Sequence, residues 1–263
     1  MDLLQAITLG FIQGLTEWLP ISSTGHLKIA EGLLGLASLP LLFDVILHIG
    51  TLTIILIFFR KDIKSILEAL LKRDFKSENG RLIPLIIVGT LPTVFIGVIF
   101  NGPTETYFND VLPIAGAFIV CGVVIFISKT GTERKENVSF VIALAMGTAQ
   151  GMALIPGLSR SGLTIAIGLM LGVERQKTFK FSFLLSVPAV IGALGLTLYE
   201  QHAMLATAGV EWTGILAGIS VAILIGYLAL KFLWKVLSNR KFYLFAFYCW
   251  LFGATLLALT LGL

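Results

Sequence analysis

Two short polar stretches in this chain carry groups that could do chemistry. Residues 13–26 read QGLTEWLPISSTGH and hold a carboxylate (Glu17), three adjacent hydroxyls (Ser22, Ser23, Thr24) and an imidazole (His26). Gln13 and Glu17 are four residues apart, so on a helix they share a face. A hydroxyl run with an imidazole two or three residues along, and a carboxylate nearby, resembles a nucleophile beside its base. Residues 150–164, QGMALIPGLSRSGLT, hold Gly157, Ser159, Arg160, Ser161 and Thr164. A glycine-flanked hydroxyl loop opening a helix offers free N–H groups to an anion, and the arginine fork suits phosphate oxygens. Brought together, the two stretches would set an anion clamp against a reactive hydroxyl. Phosphate-ester or diphosphate chemistry is what such a pairing does.

Each feature also has a plainer account. The hydroxyls could serve only as helix caps. His26 could be a hydrogen-bonded core histidine, and Glu17 could reach for the surface or for a lysine. Arg160 could do no more than pair with Glu17, although even that would put the two stretches in contact. Asp44 and His48, again four apart, either support the site or brace the hairpin beside it.

The elements that must position these groups follow from a duplication. The stretches are imperfect copies 137 residues apart, pairing Gly10 with Gly147, Gln13 with Gln150, Gly14 with Gly151, Ser22 with Ser159 and Gly25 with Gly162. Both copies carry G-x-x-x-G, whose missing side chains allow close helix approach. The surroundings are apolar: 57% of the 263 residues are hydrophobic, 13% are charged, and mean hydropathy is +0.95. A soluble domain would carry roughly 25% charged residues. Leu82–Phe100, Val111–Ser128, Phe181–Tyr199, Trp212–Leu230 and Phe242–Leu263 contain no Asp, Glu, Lys or Arg. Each approaches the ~20 residues that cross a bilayer. A sixth span, about Leu42–Phe59, carries Asp44 and His48. This is the pattern of an integral membrane protein. Met1–Gly10 holds Asp2 and no basic residue, so no cleavable signal peptide is expected. The basic surplus lies in loops flanking the spans, which argues against nucleic acid as a partner. Cys121 and Cys249 fall in mid-span without metal-ligand spacing and read as small buried hydrophobes.

Loop charge orients the spans. Arg60–Arg81 carries seven Lys and Arg and reads as cytoplasmic, with a short surface helix around Ile63–Leu71. Lys129–Glu136, Gly172–Lys180 and Lys231–Lys241 are expected inside; Asn101–Asp110 and Glu200–Glu211 outside. Met1–Leu36, broken at Pro20, and Asn137–Gly172, broken at Pro156–Gly162, leave pieces too short to span and read as re-entrant hairpins. Three full spans in each half then make residues 1–137 and 138–263 inverted repeats of one membrane domain, all-α, with six transmembrane helices and two hairpins.

At these residues the chain resembles the undecaprenyl-diphosphatase family, the bacitracin-resistance proteins. The likeness lies in Gln13-Gly14-Leu15-Thr16-Glu17 (a Gln/Glu-x-x-x-Glu motif), in the SSTGH run Ser22–His26, in the PGxSRSxxT motif Pro156–Thr164, and in Phe43–His48. It implies a membrane phosphatase that converts undecaprenyl diphosphate to the monophosphate carrier used in cell-wall polymer synthesis. It also implies a divalent cation, Mg²⁺ or Ca²⁺, an inverted-repeat helical fold, and a cavity opening to the extracytoplasmic face of the plasma membrane. Gln13 stands where many members carry Glu and cannot act as a charged ligand, leaving Glu17 as the main carboxylate. On this basis Arg160, Ser159, Ser161, Thr164, Thr24 and Gly157 hold the diphosphate. Ser23 attacks, with Ser22 or water as competing nucleophiles; His26 takes the proton, and Glu17 orients His26 or binds metal with Gln13 nearby. Inverted repeats with broken helices also describe transporters and flippases of anionic lipids, but transport alone has no task for the Ser-Ser-Thr-Gly-His run. Chain length of the lipid and oligomeric state, a homodimer included, are not written in the sequence.

Overall fold

A computed structural model describes residues 1–36, 41–100, 110–200 and 212–262. The loops expected outside, Asn101–Asp110 and Glu200–Glu211, lie almost wholly beyond these residues. Among the described residues there are eleven α-helices and no strand, the only bridge joining Lys135 to Val173. They are α1 Leu3–Trp18, α2 Ser23–Leu33, α3 Leu41–Phe58, α4 Arg60–Leu71, α5 Leu82–Phe100, α6 Val111–Ile127, α7 Phe140–Met152, α8 Arg160–Met170, α9 Arg175–Glu200, α10 Trp212–Ser238 and α11 Leu244–Leu261.

Five of these, α5, α6, α9, α10 and α11, are long and apolar enough to cross a membrane. A sixth span is reached if α3 is counted with α4, which turns away from it by 80°. That turn follows the sequence: at Phe59 the apolar run meets RKDIK, whose charges belong in water and headgroups. Two expected loops are shorter than the charge pattern suggested. Helix α9 begins at Arg175, taking Lys177 and Lys180 into its first turns, and α10 runs to Ser238, taking in Lys231 and Lys235. Nothing between Trp212 and Ser238 breaks a helix, and the long lysine stems let the charge lie over apolar surface. Lys231 accordingly sits 4.7 Å over the Tyr227 ring.

The first turns of α9 are tied to the basic loop. Lys180 pairs with Asp62 of α4 at 2.5 Å and bonds Asn79 at 2.7 Å. Lys177 pairs with Glu78 and holds that carboxyl below its usual range.

The broken segments pack deep among the other helices. Helices α1 and α2 fold against each other, as do α7 and α8. Helix α1 packs along α10 and α7 along α5; α3 packs on α10 and α9 on α5; α6 and α11 lie side by side. The two main crossings run glycine to glycine. A Cβ on Gly10 would overlap the Gly218 carbonyl, and one on Gly147 would overlap the Gly89 carbonyl. Close backbone contact of this kind is how helices associate where no water drives them together. At the centre Trp18, Phe59, Phe179 and Phe183 form one aromatic cluster with Ile54, Ile55 and Leu230 beneath the hairpin tips.

Candidate active site

Both hairpins break in the same way. Ser22 caps α2, its Oγ accepting from the Gly25 N–H at 3.4 Å; Ser159 caps α8, its Oγ accepting from the Gly162 N–H at 3.1 Å. These are the paired positions of the two copies. The two helix N-termini, each a source of positive partial charge, begin side by side because the tips are fastened together. Ser22 Oγ also accepts from the Gly157 N–H at 3.0 Å. Ser161 Oγ donates to the Trp18 carbonyl at 3.1 Å, and Cys249 Sγ donates to the Pro20 carbonyl at 3.5 Å. The Trp18 carbonyl is one that α1 leaves unpaired at its C-terminus, and the Pro20 carbonyl lies in the turn just beyond it. Ser22 has φ +66°, a region that disfavours side chains, so its N–H partners hold it in a strained turn. Gly157 has φ +97°, and a Cβ there would meet the Ile114 carbonyl at 2.5 Å.

Glu17 is the hub. Its Oε2 accepts from Ser23 Oγ at 2.6 Å and, more distantly, from Gln13 Nε2 at 3.4 Å. Its Oε1 accepts from Arg160 Nη2 at 2.6 Å, with both side chains mostly buried, 11% and 16% exposed. One carboxylate thus joins a hydroxyl from its own hairpin to a cation from the other. The expectation that the hairpins meet is fulfilled in this bond. Arg160 Nη1 is buried with no hydrogen-bond partner among the described residues. Half of the guanidinium fork is therefore unused, and a buried unsatisfied cationic donor is costly. Trp18 lies beneath it, 5.7 Å from ring centroid to guanidinium carbon.

The remaining residues divide between site and frame. Ser159, Ser161 and Thr164 are buried in the seam rather than presented to an open cleft. Thr164 Oγ1 donates to the Arg160 carbonyl at 2.8 Å and lies 2.5 Å from Ser182 Oγ. Thr24 is exposed, its hydroxyl 3.4 Å from Ser22 Oγ. His26 makes no hydrogen bond to Ser23 or Glu17 among the described residues. Its Nδ1 lies 2.8 Å from the Ser22 carbonyl and its Nε2 2.7 Å from the Tyr248 hydroxyl. His48 bonds the Asp44 carbonyl at 2.9 Å and its carboxylate at 3.4 Å on α3. Sequence reasoning did not reach Tyr248 or Ser182: each sits in an apolar span, the first among five aromatic residues of α11, with no spacing to single it out.

A divalent cation has a modest donor set here. Among the described residues no three His, Cys, Asp or Glu gather as a metal cage. Gln13 Oε1, however, is a fully buried acceptor without a partner among the described residues, on the residue that touches Glu17. One carboxylate and one orphaned amide oxygen fit a hard cation that takes its other ligands from phosphate and water.

The sequence profile described as "Bacitracin resistance protein BacA" matches residues 6–255. An undecaprenyl-diphosphatase of Carboxydothermus hydrogenoformans is 41% identical, over 98% of this chain and 98% of that protein. Those of Methanobrevibacter smithii and Treponema denticola are 38% and 40% identical, over 96% and 94% of each chain respectively. The chain belongs to the BacA family.

Proposed function

We propose that this BacA-family chain is a membrane-embedded phosphatase that hydrolyses undecaprenyl diphosphate to the monophosphate and inorganic phosphate, recycling the lipid carrier of cell-wall polymer synthesis. One observation carries the assignment: Glu17 bridges the Ser23 hydroxyl to an Arg160 whose fork is half free, where two helix N-termini begin together. The free Nη1 of Arg160 and the two N-termini take the diphosphate oxygens and stabilise charge on them as transfer proceeds. Ser23 Oγ attacks the terminal phosphorus and gives its proton to Glu17 Oε2; the bond to the bridging oxygen breaks and the prenyl monophosphate leaves. Water then hydrolyses the phosphoserine. His26, one helical turn beyond Ser23, takes the proton of that water. Ser22 is a poorer nucleophile than Ser23, because its oxygen is buried and already accepts two backbone N–H groups. Ser159, Ser161 and Thr164 act by holding Arg160 and the tip in place. Gln13 and Glu17 would hold the divalent cation, which when bound adds positive charge beside the phosphates.

The single domain consists of two inverted repeats, 1–137 and 138–263. The recurrence of α1 on α10 as α7 on α5, through paired glycines, supports this. With the basic loop Arg60–Arg81 in the cytoplasm of the plasma membrane, the site opens to the extracytoplasmic side.

Detergent-purified protein incubated with undecaprenyl diphosphate and Mg²⁺ or Ca²⁺ should release phosphate, and chelation should suppress it. Acid quench should trap phosphate on Ser23. Movement of polyprenyl phosphate across vesicles without any phosphate release would favour the transporter instead. A phosphatase lacking the trapped adduct would move the attack from Ser23 to water.

A further inference from the structure

We propose that Tyr248 is a positioning residue of this centre, holding His26 in one tautomer and one ring plane next to Ser23. The inference rests on the phosphatase reading. A carbonyl oxygen can only accept, so the Ser22 carbonyl 2.8 Å from His26 Nδ1 requires hydrogen on Nδ1. In a neutral imidazole Nε2 is then the acceptor, and the Tyr248 hydroxyl 2.7 Å away is the donor that meets it. Both nitrogens are thereby assigned, and the acceptor nitrogen, the one a general base needs, is the one Tyr248 holds.

The ring is gripped as well as bonded. Phe252 stacks on it at 4.4 Å and 19°, and Phe118 presents an edge at 5.3 Å and 86°. Tyr248 continues the stack, lying 5.9 Å from Phe252 at 8°. The slot is therefore made by α6 and α11, far along the chain from the histidine it fixes. A phenol suits this place in a way that an aliphatic or plain aromatic side chain does not. Its oxygen donates to Nε2 while His26 is neutral; when it hands that proton to Nε2 it takes the proton of the attacking water in its place, and then accepts from Nε2–H. The same contact thus serves both states through a catalytic cycle, without turning the ring.

Tyr248→Phe keeps the stack and removes only the hydroxyl. In this variant kcat should fall about tenfold with KM within twofold of the parent, and the thermal midpoint should be unchanged. On a His26→Ala background the same change should alter kcat less than twofold, since its effect passes through His26. In ¹⁵N-histidine-labelled protein the His26 signals should report Nδ1–H with Nε2 as acceptor, and the Nε2 signal should move in Tyr248→Phe. The opposite tautomer in the parent protein would overturn the proposal, whatever the variant's folding. Parental kcat in Tyr248→Phe, or an undiminished effect in the His26→Ala background, would overturn it too. A parent protein that releases no phosphate at all would instead retire the phosphatase reading.

Discussion

In register, the hairpin α1–α2 has Glu17, Ser23 and His26 where the hairpin α7–α8 has Leu154, Arg160 and Leu163. At Gly10 and Gly147, Gln13 and Gln150, Ser22 and Ser159, Gly25 and Gly162 the two are the same. The shared set makes the frame: glycines at the helix crossings, serines capping the second helix of each pair. The differing set makes the chemistry, with acid, hydroxyl and imidazole on one side and the cation on the other. Gln13 and Gln150 show how context separates even identical residues. Gln13 reaches Glu17, while Gln150 donates to Thr93 at 3.2 Å and to the Leu185 carbonyl at 3.4 Å, away from the site. The glycines of the crossings and the capping serines are alike in the two hairpins, while Glu17, Ser23 and His26 each differ from their counterparts.

That division can be tested from either side. The largest effect is expected at the cation: Arg160→Ala should lower kcat about 10³-fold or more, since no other permanent charge stands in the tips. It also strands Glu17, so folding should be followed by thermal melting, and Arg160→Lys should recover charge but not the fork. Activity above a few per cent in Arg160→Ala would break the assignment of the second hairpin. Next comes the carboxylate. Glu17→Gln preserves shape and should cost about 10²- to 10³-fold in phosphate release, whereas Leu154→Gln at the matching position should leave kcat within about twofold. At the frame positions the hairpins should behave alike. Gly10→Ala and Gly147→Ala each force a methyl group against a carbonyl and should destabilise by about 1–3 kcal/mol in denaturation. Gly32→Ala, with open space around it, should not. The smallest expected effect is at the caps: Ser159→Ala should cost about 1 kcal/mol. Ser22→Ala should cost somewhat more, because its oxygen also holds Gly157.

Much of this could be read without coordinates because membrane burial makes polar residues conspicuous. The breaks at Pro20 and Pro156–Gly162, the surface helix after Phe59, and the meeting of Glu17 with Arg160 were all legible from residue type and spacing. The roles inside each motif were not. Ser22 and Ser23 are neighbours of one type, and only the turn at Ser22 decides which points its oxygen at backbone and which at Glu17. Ser159 and Ser161 looked like anion ligands; that they accept or donate in the seam depends on where α1 ends. The partner of His26 lies 222 residues away in an aromatic-rich helix, a distance at which spacing carries no signal.

The crossing of α1 on α10 has a consequence for biosynthesis. Gly10 leaves the ribosome with its lipid-exposed face unmatched, and Gly218 follows only after some two hundred further residues, roughly ten to forty seconds at ~5–20 residues per second. Glu17 lacks Arg160 for most of that interval, and at its end Tyr248 has still to emerge. The nascent first hairpin must therefore be sheltered at the insertion machinery, or rest at the bilayer surface, until α10, in the last fifth of the polypeptide, arrives to draw it in.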